Sequence, residues 1–138
     1  MTAIRELTAR RLRRLDVRGL IAIHGELMAR YGGGSREVDM TMLQLSLARS
    51  ELVVRERHWR ERARLAAGYG WRLLKNRPFA EGNERVALAA MVTYLEMNGF
   101  TWNCGEVEET VMVLRAAAKQ INERDWEAWV ISNVAKRK

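Results

Sequence analysis

Residues 84–97, ERVALAAMVTYLEM, would form a helix that is apolar on nearly every side. Such a helix has no face to show to water, so other elements have to wrap it. One buried helix in a chain of 138 residues calls for a shell of amphipathic helices, and the flanking sequence supplies them. Asp16 is placed to cap a helix with the apolar stripe Val17, Leu20, Ile21, His24, Leu27, Met28 and Tyr31, and the glycines of YGGG end it. Asp39 can cap a shorter helix carrying Leu43, Leu47 and Ala48. A long helical segment is expected over residues 57–75, with Trp59, Ala63, Ala66, Ala67, Leu73 and Leu74. Two more helices are expected over residues 106–119 and 123–134, the last capped by Asn122. Strand-like alternation is nearly absent. The expectation is an all-α fold, one domain over residues 1–138, in which about six helices surround a buried central one.

Composition removes several function classes. Apolar residues make up 48% of the chain and proline occurs once, which excludes a disordered protein. One cysteine, Cys104, permits no internal disulfide and suits a reducing compartment, and one Cys with two His cannot build a metal cluster. The start, MTAIRELTARRLRRLD, is basic without the apolar stretch of a signal peptide, and no apolar run is long enough to span a bilayer. The expected location is the cytoplasm, with no membrane partner.

A net charge of +7 comes mostly from arginines in ARRLRRLDVR and VVRERHWRERAR. Interleaved acids make a solvated helix face the plain reading of these stretches, and a surface for an acidic partner the sharper one. No recognition-helix pattern points to direct nucleic-acid binding. Trp126 and Trp129, one helical turn apart, are expected to pack rather than to form a ligand box.

The lone proline sits in KNRPFAEGNER, residues 75–85, between two long apolar-rich segments. Pro78 pushes its predecessor out of helical geometry, so the preceding helix must end near Asn76. Gly82 allows a turn that a side chain would obstruct. Asn83 stands where an N-cap belongs, and the bare N–H groups of the helix start, with its dipole, suit an anion. Arg85 in the first turn opposes that dipole unless it serves something negative, such as a phosphate. Glu81 offers a hard oxygen ligand for a divalent cation. The residues fit two descriptions: a structural helix–helix corner plugged by Phe79, and a phosphate-handling loop.

RPFAEGNER resembles the Fic/Doc signature, H-P-F-x-[D/E]-G-N-x-R. IHGELMARYGG, VDMTMLQLSLARSE, LAAGYGWRLLKN, ALAAMVTYLEMNGF and INERDWEAWV are similar, in order and spacing, to segments of the family's Doc (death-on-curing) branch. The resemblance covers nearly the whole chain. It implies a compact all-α bundle with the signature loop between two central helices. It also implies transfer of part of a nucleoside triphosphate, ATP or another, to a protein hydroxyl with Mg2+. Doc toxins imply a kinase that phosphorylates elongation factor Tu and so stops translation, whereas most Fic proteins transfer AMP. Carried over residue by residue, Pro78 and Phe79 would anchor the loop and Glu81 would bind Mg2+. Gly82, Asn83, Glu84 and Arg85 would line the nucleotide and phosphate site. AMP-transferring members usually have a second arginine where this chain has Leu88, which favours the Doc branch.

Two departures stand out. Doc toxins commonly have a lysine where this chain has Glu84, whose charge repels a triphosphate. Arg77 stands at the family's catalytic histidine, the group that takes the proton from the attacking hydroxyl. A guanidinium stays protonated and cannot accept that proton, and losing a general base costs roughly 10²–10⁴-fold in rate. Arg77 could still hold phosphate. His24 is expected to be a core histidine with a hydrogen-bond partner, and His58 to be exposed; neither restores the motif. The expected protein is therefore a Doc-type toxin of a toxin–antitoxin module, inactive or impaired as written. The alternative is a non-catalytic Fic-fold regulator. The inhibitory pattern S/T-x-x-x-E-[G/N] is not met, because Thr2 and Glu6 are followed by Leu7. The resemblance thus implies restraint by a separate Phd-type antitoxin, whose acidic tail would suit a basic surface.

Overall fold

The computed structural model describes residues 14–48 and 59–136. His58, residue 57 at the expected start of the long helix, and residues 2–7 with their near-match to the inhibitory pattern lie outside the described residues. Six helices form among the described residues: α1 (Val17–Tyr31), α2 (Met40–Ala48), α3 (Trp59–Asn76), α4 (Asn83–Met97), α5 (Glu106–Ala117) and α6 (Glu123–Ser132). The all-α expectation holds, with one small addition. Two short strands, β1 (Phe100–Trp102) and β2 (Val134–Lys136), pair antiparallel, with Trp102 opposite Val134.

The caps explain the boundaries. Asp16 accepts from the Gly19 N–H at 2.7 Å, and Asp39 from the Met42 N–H at 3.1 Å, so each acid satisfies a donor that its helix leaves bare. At α6 the Asn122 side chain accepts from the Asp125 N–H at 2.8 Å, while Asp125 accepts from the Asn122 N–H in return. The same helix ends at Ser132 rather than at 134. Val134 instead joins the ribbon, whose pairing bridges residues too far apart in sequence to leave a local pattern. The preceding helix, α5, likewise stops at Ala117.

The buried helix is where its composition requires it to be. Val86, Ala87, Ala90, Met91, Tyr94 and Leu95 of α4 are buried against α3, with α1, α5 and β1 around them. Tyr69 and Tyr94 meet across the α3–α4 interface with ring centroids 5.1 Å apart. From α6, the buried Trp126 donates its indole N–H to the Ala67 carbonyl at 2.9 Å. It also packs on Trp129 at 5.0 Å, as expected for a packing pair. Burying a large apolar side chain contributes roughly 1.5–3 kcal/mol, so α3 and α4 form a rigid pair. The connection between them, residues 77–82, is held by that pair at both ends.

Candidate functional site

Where α3 ends, the chain reverses abruptly. Arg77 still donates its N–H to the Leu73 carbonyl at 3.1 Å, but its φ of 44° lies in the left-handed region. For a residue other than glycine this is uncommon, and it costs of order 1–3 kcal/mol unless the surroundings hold it. They do. Pro78 accepts from the Asp39 N–H at 2.7 Å, Ala80 donates to the Glu37 carbonyl at 3.1 Å, and Phe79 forms an antiparallel bridge with Val38. The first half of the corner is thus stitched to the strand-like segment that leads into α2. Phe79 is buried, its ring stacked on His24 at 4.0 Å with the planes 9° apart. His24 is itself buried and donates from Nε2 to the Glu81 carbonyl at 2.9 Å, so it is the partnered core histidine the α1 stripe predicts.

Asn83 corrects one expectation. It is not the N-cap of α4; it is the first residue inside the helix. Its side chain points back into the corner, where Oδ1 accepts from the Phe79 N–H at 3.0 Å and Nδ2 donates to the Phe79 carbonyl at 2.7 Å. The N-cap position belongs to Gly82, at φ 82°, and no side chain caps the helix. A side chain at Gly82 would be strained at that φ, and its Cβ would lie 3.3 Å from Met28 Sδ. Asn83 therefore shapes the corner from beneath. The start of α4, with its first intrahelical bond from the Val86 N–H to the Gly82 carbonyl, has no side-chain cap.

The charged residues stand around that opening. Glu81 is exposed, and its Oε2 accepts from the N–H groups of Gly34 at 2.8 Å and Ser35 at 2.7 Å, tying the corner to the glycine turn after α1. Arg85 lies over the Tyr31 ring, its guanidinium carbon 4.2 Å from the centroid. It lines two cavities. One, of about 220 Å³, is bounded by His24, Met28, Gly33, Glu81 and Gly82. The other, of about 420 Å³, is bounded by Gly82, Glu84, Leu88, Thr110, Val113 and Leu114. Arg77 and Glu84 meet at the edge of this second cavity, Nη1 to Oε2 at 2.7 Å. Partial burial would push the Glu84 carboxyl up, but the hydrogen bond from Arg77, a backbone N–H and the Arg77 charge bring it below the usual carboxylate range. The repulsion expected of Glu84 toward a polyphosphate is thereby partly neutralised by Arg77.

The corner therefore brings together Arg77, Glu81, Gly82, Glu84, Arg85 and the main chain of Asn83, with Pro78 and Phe79 as its anchor. As chemistry, it offers two guanidinium groups and a bare helix start to an anion, and carboxylates to a proton or a cation. Among the described residues no three His, Cys, Asp or Glu gather as a ready-made metal set. A magnesium ion takes few protein carboxylates and completes its shell with phosphates and water. Glu81 fits that mode, because none of the described residues hydrogen-bonds to its Oε1. Three contributors escape sequence reasoning: the Gly34 and Ser35 amides, the Tyr31 ring under Arg85, and the edge at residues 37–39. Each acts across a large sequence separation. Only the YGGG turn leaves a local signal.

With this geometry in place, comparison with known families is informative. The model of the Fic/DOC family matches residues 14–95, more than half of the 138-residue chain and all of α1 to the corner. No curated protein matches the chain.

Proposed function

This chain belongs to the Fic/DOC family, and we propose from that premise that it is a Doc-branch toxin of a toxin–antitoxin pair. Its corner holds a nucleoside triphosphate such as ATP and passes phosphate, or AMP, to a hydroxyl of a protein such as elongation factor Tu. Turnover is slowed because Arg77 occupies the base position. The observation that carries this reading is the opening at the start of α4. Gly82 is in the left-handed region there, no side chain caps the helix, and Arg85 stands in the first turn between two cavities. Bare N–H groups and a guanidinium fork bind phosphate oxygens well.

Arg85 grips phosphate, and the Asn83–Phe79 bonds keep the amides aimed. Glu81 would hold Mg2+, which when bound neutralises phosphate charge. Leu88 on the wall of the larger cavity, where AMP-transferring members have an arginine, supports phosphate as the transferred group. The partner that restrains the protein would be an acidic antitoxin tail, drawn by a chain of net charge +7. Among the described residues no helix is long and apolar enough to cross a membrane.

The test is transfer from labelled Mg-ATP to elongation factor Tu by the chain as written and by Arg77→His. The histidine variant is expected to be about 10²-fold faster or more and to arrest growth when expressed. A histidine variant that binds no Mg-ATP in calorimetry and transfers nothing would defeat the reading. Binding without turnover in both proteins would instead favour a non-catalytic regulator. The Arg77–Glu84 ion pair gives that second reading its support, because it occupies the groups that a substrate hydroxyl would meet.

A further inference from the structure

The side chains around the α4 opening differ sharply in whether they can accept a proton. Arg77 and Arg85 cannot, since a guanidinium does not deprotonate in a protein. His24 is buried beneath Phe79, with Nε2 committed to the Glu81 carbonyl. Glu81 holds two backbone N–H groups on Oε2, and its other oxygen is the one the proposed reading gives to the cation. Glu109, across the larger cavity on α5, accepts the indole N–H of Trp102. Asp39, in the groove outside Arg77, caps α2. Glu37 lies in that same outer groove rather than in the cavity. Glu84 remains. It lines the cavity next to Arg85, its Oε2 is fixed by Arg77 at 2.7 Å, and its carboxylate also lies against its own backbone N–H.

We propose that Glu84 is the proton acceptor of this site and that Arg77 is its positioning residue, so that the two positions have exchanged roles. This rests on the phosphoryl-transfer reading above and deepens it. A substrate hydroxyl entering beside Arg77 gives its proton to a Glu84 carboxylate oxygen. The hydroxyl oxygen's electron pair forms the new bond to phosphorus. The bond from phosphorus to the bridging oxygen breaks, and the leaving nucleoside diphosphate keeps that electron pair. Glu84 then returns its proton to water. A carboxylate suffices as acceptor where transfer is loose and positioning dominates; an aspartate plays this part in protein kinases. Arg77 does two things: it holds the carboxylate ionised and oriented, and it places a cation at the mouth of the phosphate site.

The exchange is tested in the labelled-ATP transfer assay with Glu84→Gln, Glu84→Asp, Glu37→Gln and the double variant Arg77→His/Glu84→Lys. Mg-ATP affinity by calorimetry and a melting curve for each protein separate chemistry from binding and folding. The expected result is that Glu84→Gln loses about 10²-fold or more of the transfer rate while still folding and binding Mg-ATP. Glu84→Asp should recover part of that rate, and Glu37→Gln should transfer as fast as the parent. The pH profile adds a signature that a structural role would not give. Transfer by the chain as written should hold level from neutral pH down to the carboxylate range, falling only below the ordinary glutamate value of 4.5. The double variant should lose rate near the imidazole value of about 6.5. Undiminished transfer in Glu84→Gln overturns the proposal, as does a chain that transfers nothing while the double variant transfers well. In both cases the phosphoryl-transfer reading survives. Failure of every protein, the double variant included, to bind Mg-ATP or transfer removes both.

Discussion

Two helices of this molecule begin beside an asparagine, and the two asparagines do opposite things. At α6, Asn122 sits outside the helix and exchanges hydrogen bonds with Asp125, so the helix start is closed by its own side chains. At α4, Asn83 sits inside the helix and turns its amide back to Phe79, so no cap residue closes the helix start, where only the Glu84 carboxylate meets its own backbone N–H. The first arrangement satisfies the donors a helix end leaves over. The second leaves them facing outward and uses buried hydrogen bonds, a strained Arg77 and a left-handed Gly82 to keep them so. Closing a helix start takes one side chain of the right kind; holding one open takes a scaffold. The proposed phosphate site at the α4 start rests on this contrast.

The largest effect expected from this contrast is at Asn83. Asn83→Ala strips the Phe79 N–H and carbonyl of their buried partners, and each group left unsatisfied costs about 1–3 kcal/mol. Urea unfolding should show a loss of about 2–4 kcal/mol, and Mg-ATP binding should vanish with the shape of the corner. A variant as stable as the parent would mean that the side chain is not the scaffold it is taken to be. Asn122→Ala should cost only about 1 kcal/mol, the ordinary value of an N-cap, with no change in nucleotide affinity. Equal losses at the two sites would erase the distinction between an open start and a closed one.

The difference between the asparagines also shows how far the sequence carries. Asn122 is followed three residues later by an acid and then by Trp126, a local pattern that states its own cap. Asp16 and Asp39 are legible in the same way, and so is the buried α4, because its apolar character is written in consecutive residues. The end of α3 is fixed by Pro78 alone. Asn83 looks like a cap by the same local rule. What overrides the rule is Phe79, whose backbone arrives at bonding distance only because its ring is anchored on His24 from α1. The Glu81 contact with Gly34 and Ser35 depends on that same long-range docking, as does the Val38–Phe79 bridge. The β1–β2 ribbon is missed for a related reason: three-residue strands show no alternation, and their pairing joins residues on either side of two helices. Arg77 and Glu84 each look like a defect when taken singly. Seven residues apart, they become a pair only once the corner folds them together.

The smallest predicted effect concerns that pair and separates its electrostatic part from its geometric one. The Arg77 and Glu84 side chains are 52% and 32% exposed, so their attraction is screened and is expected to add only about 0.2–1 kcal/mol to stability. Glu84 titrates below its ordinary value, which means the folded state holds its proton less tightly than the unfolded state does. The stabilisation is therefore complete above pH 4.5 and disappears as the pH falls through the lower, folded-state value. Urea midpoints of the parent and of Glu84→Gln should differ slightly at pH 7, converge on acidification, and converge again in high salt at pH 7. The start of α6 offers the control, since Asn122 is uncharged and its bond to the Asp125 N–H does not depend on ionic strength. A difference at α4 that survives both acid and salt would show that Glu84 holds the corner by shape rather than by charge.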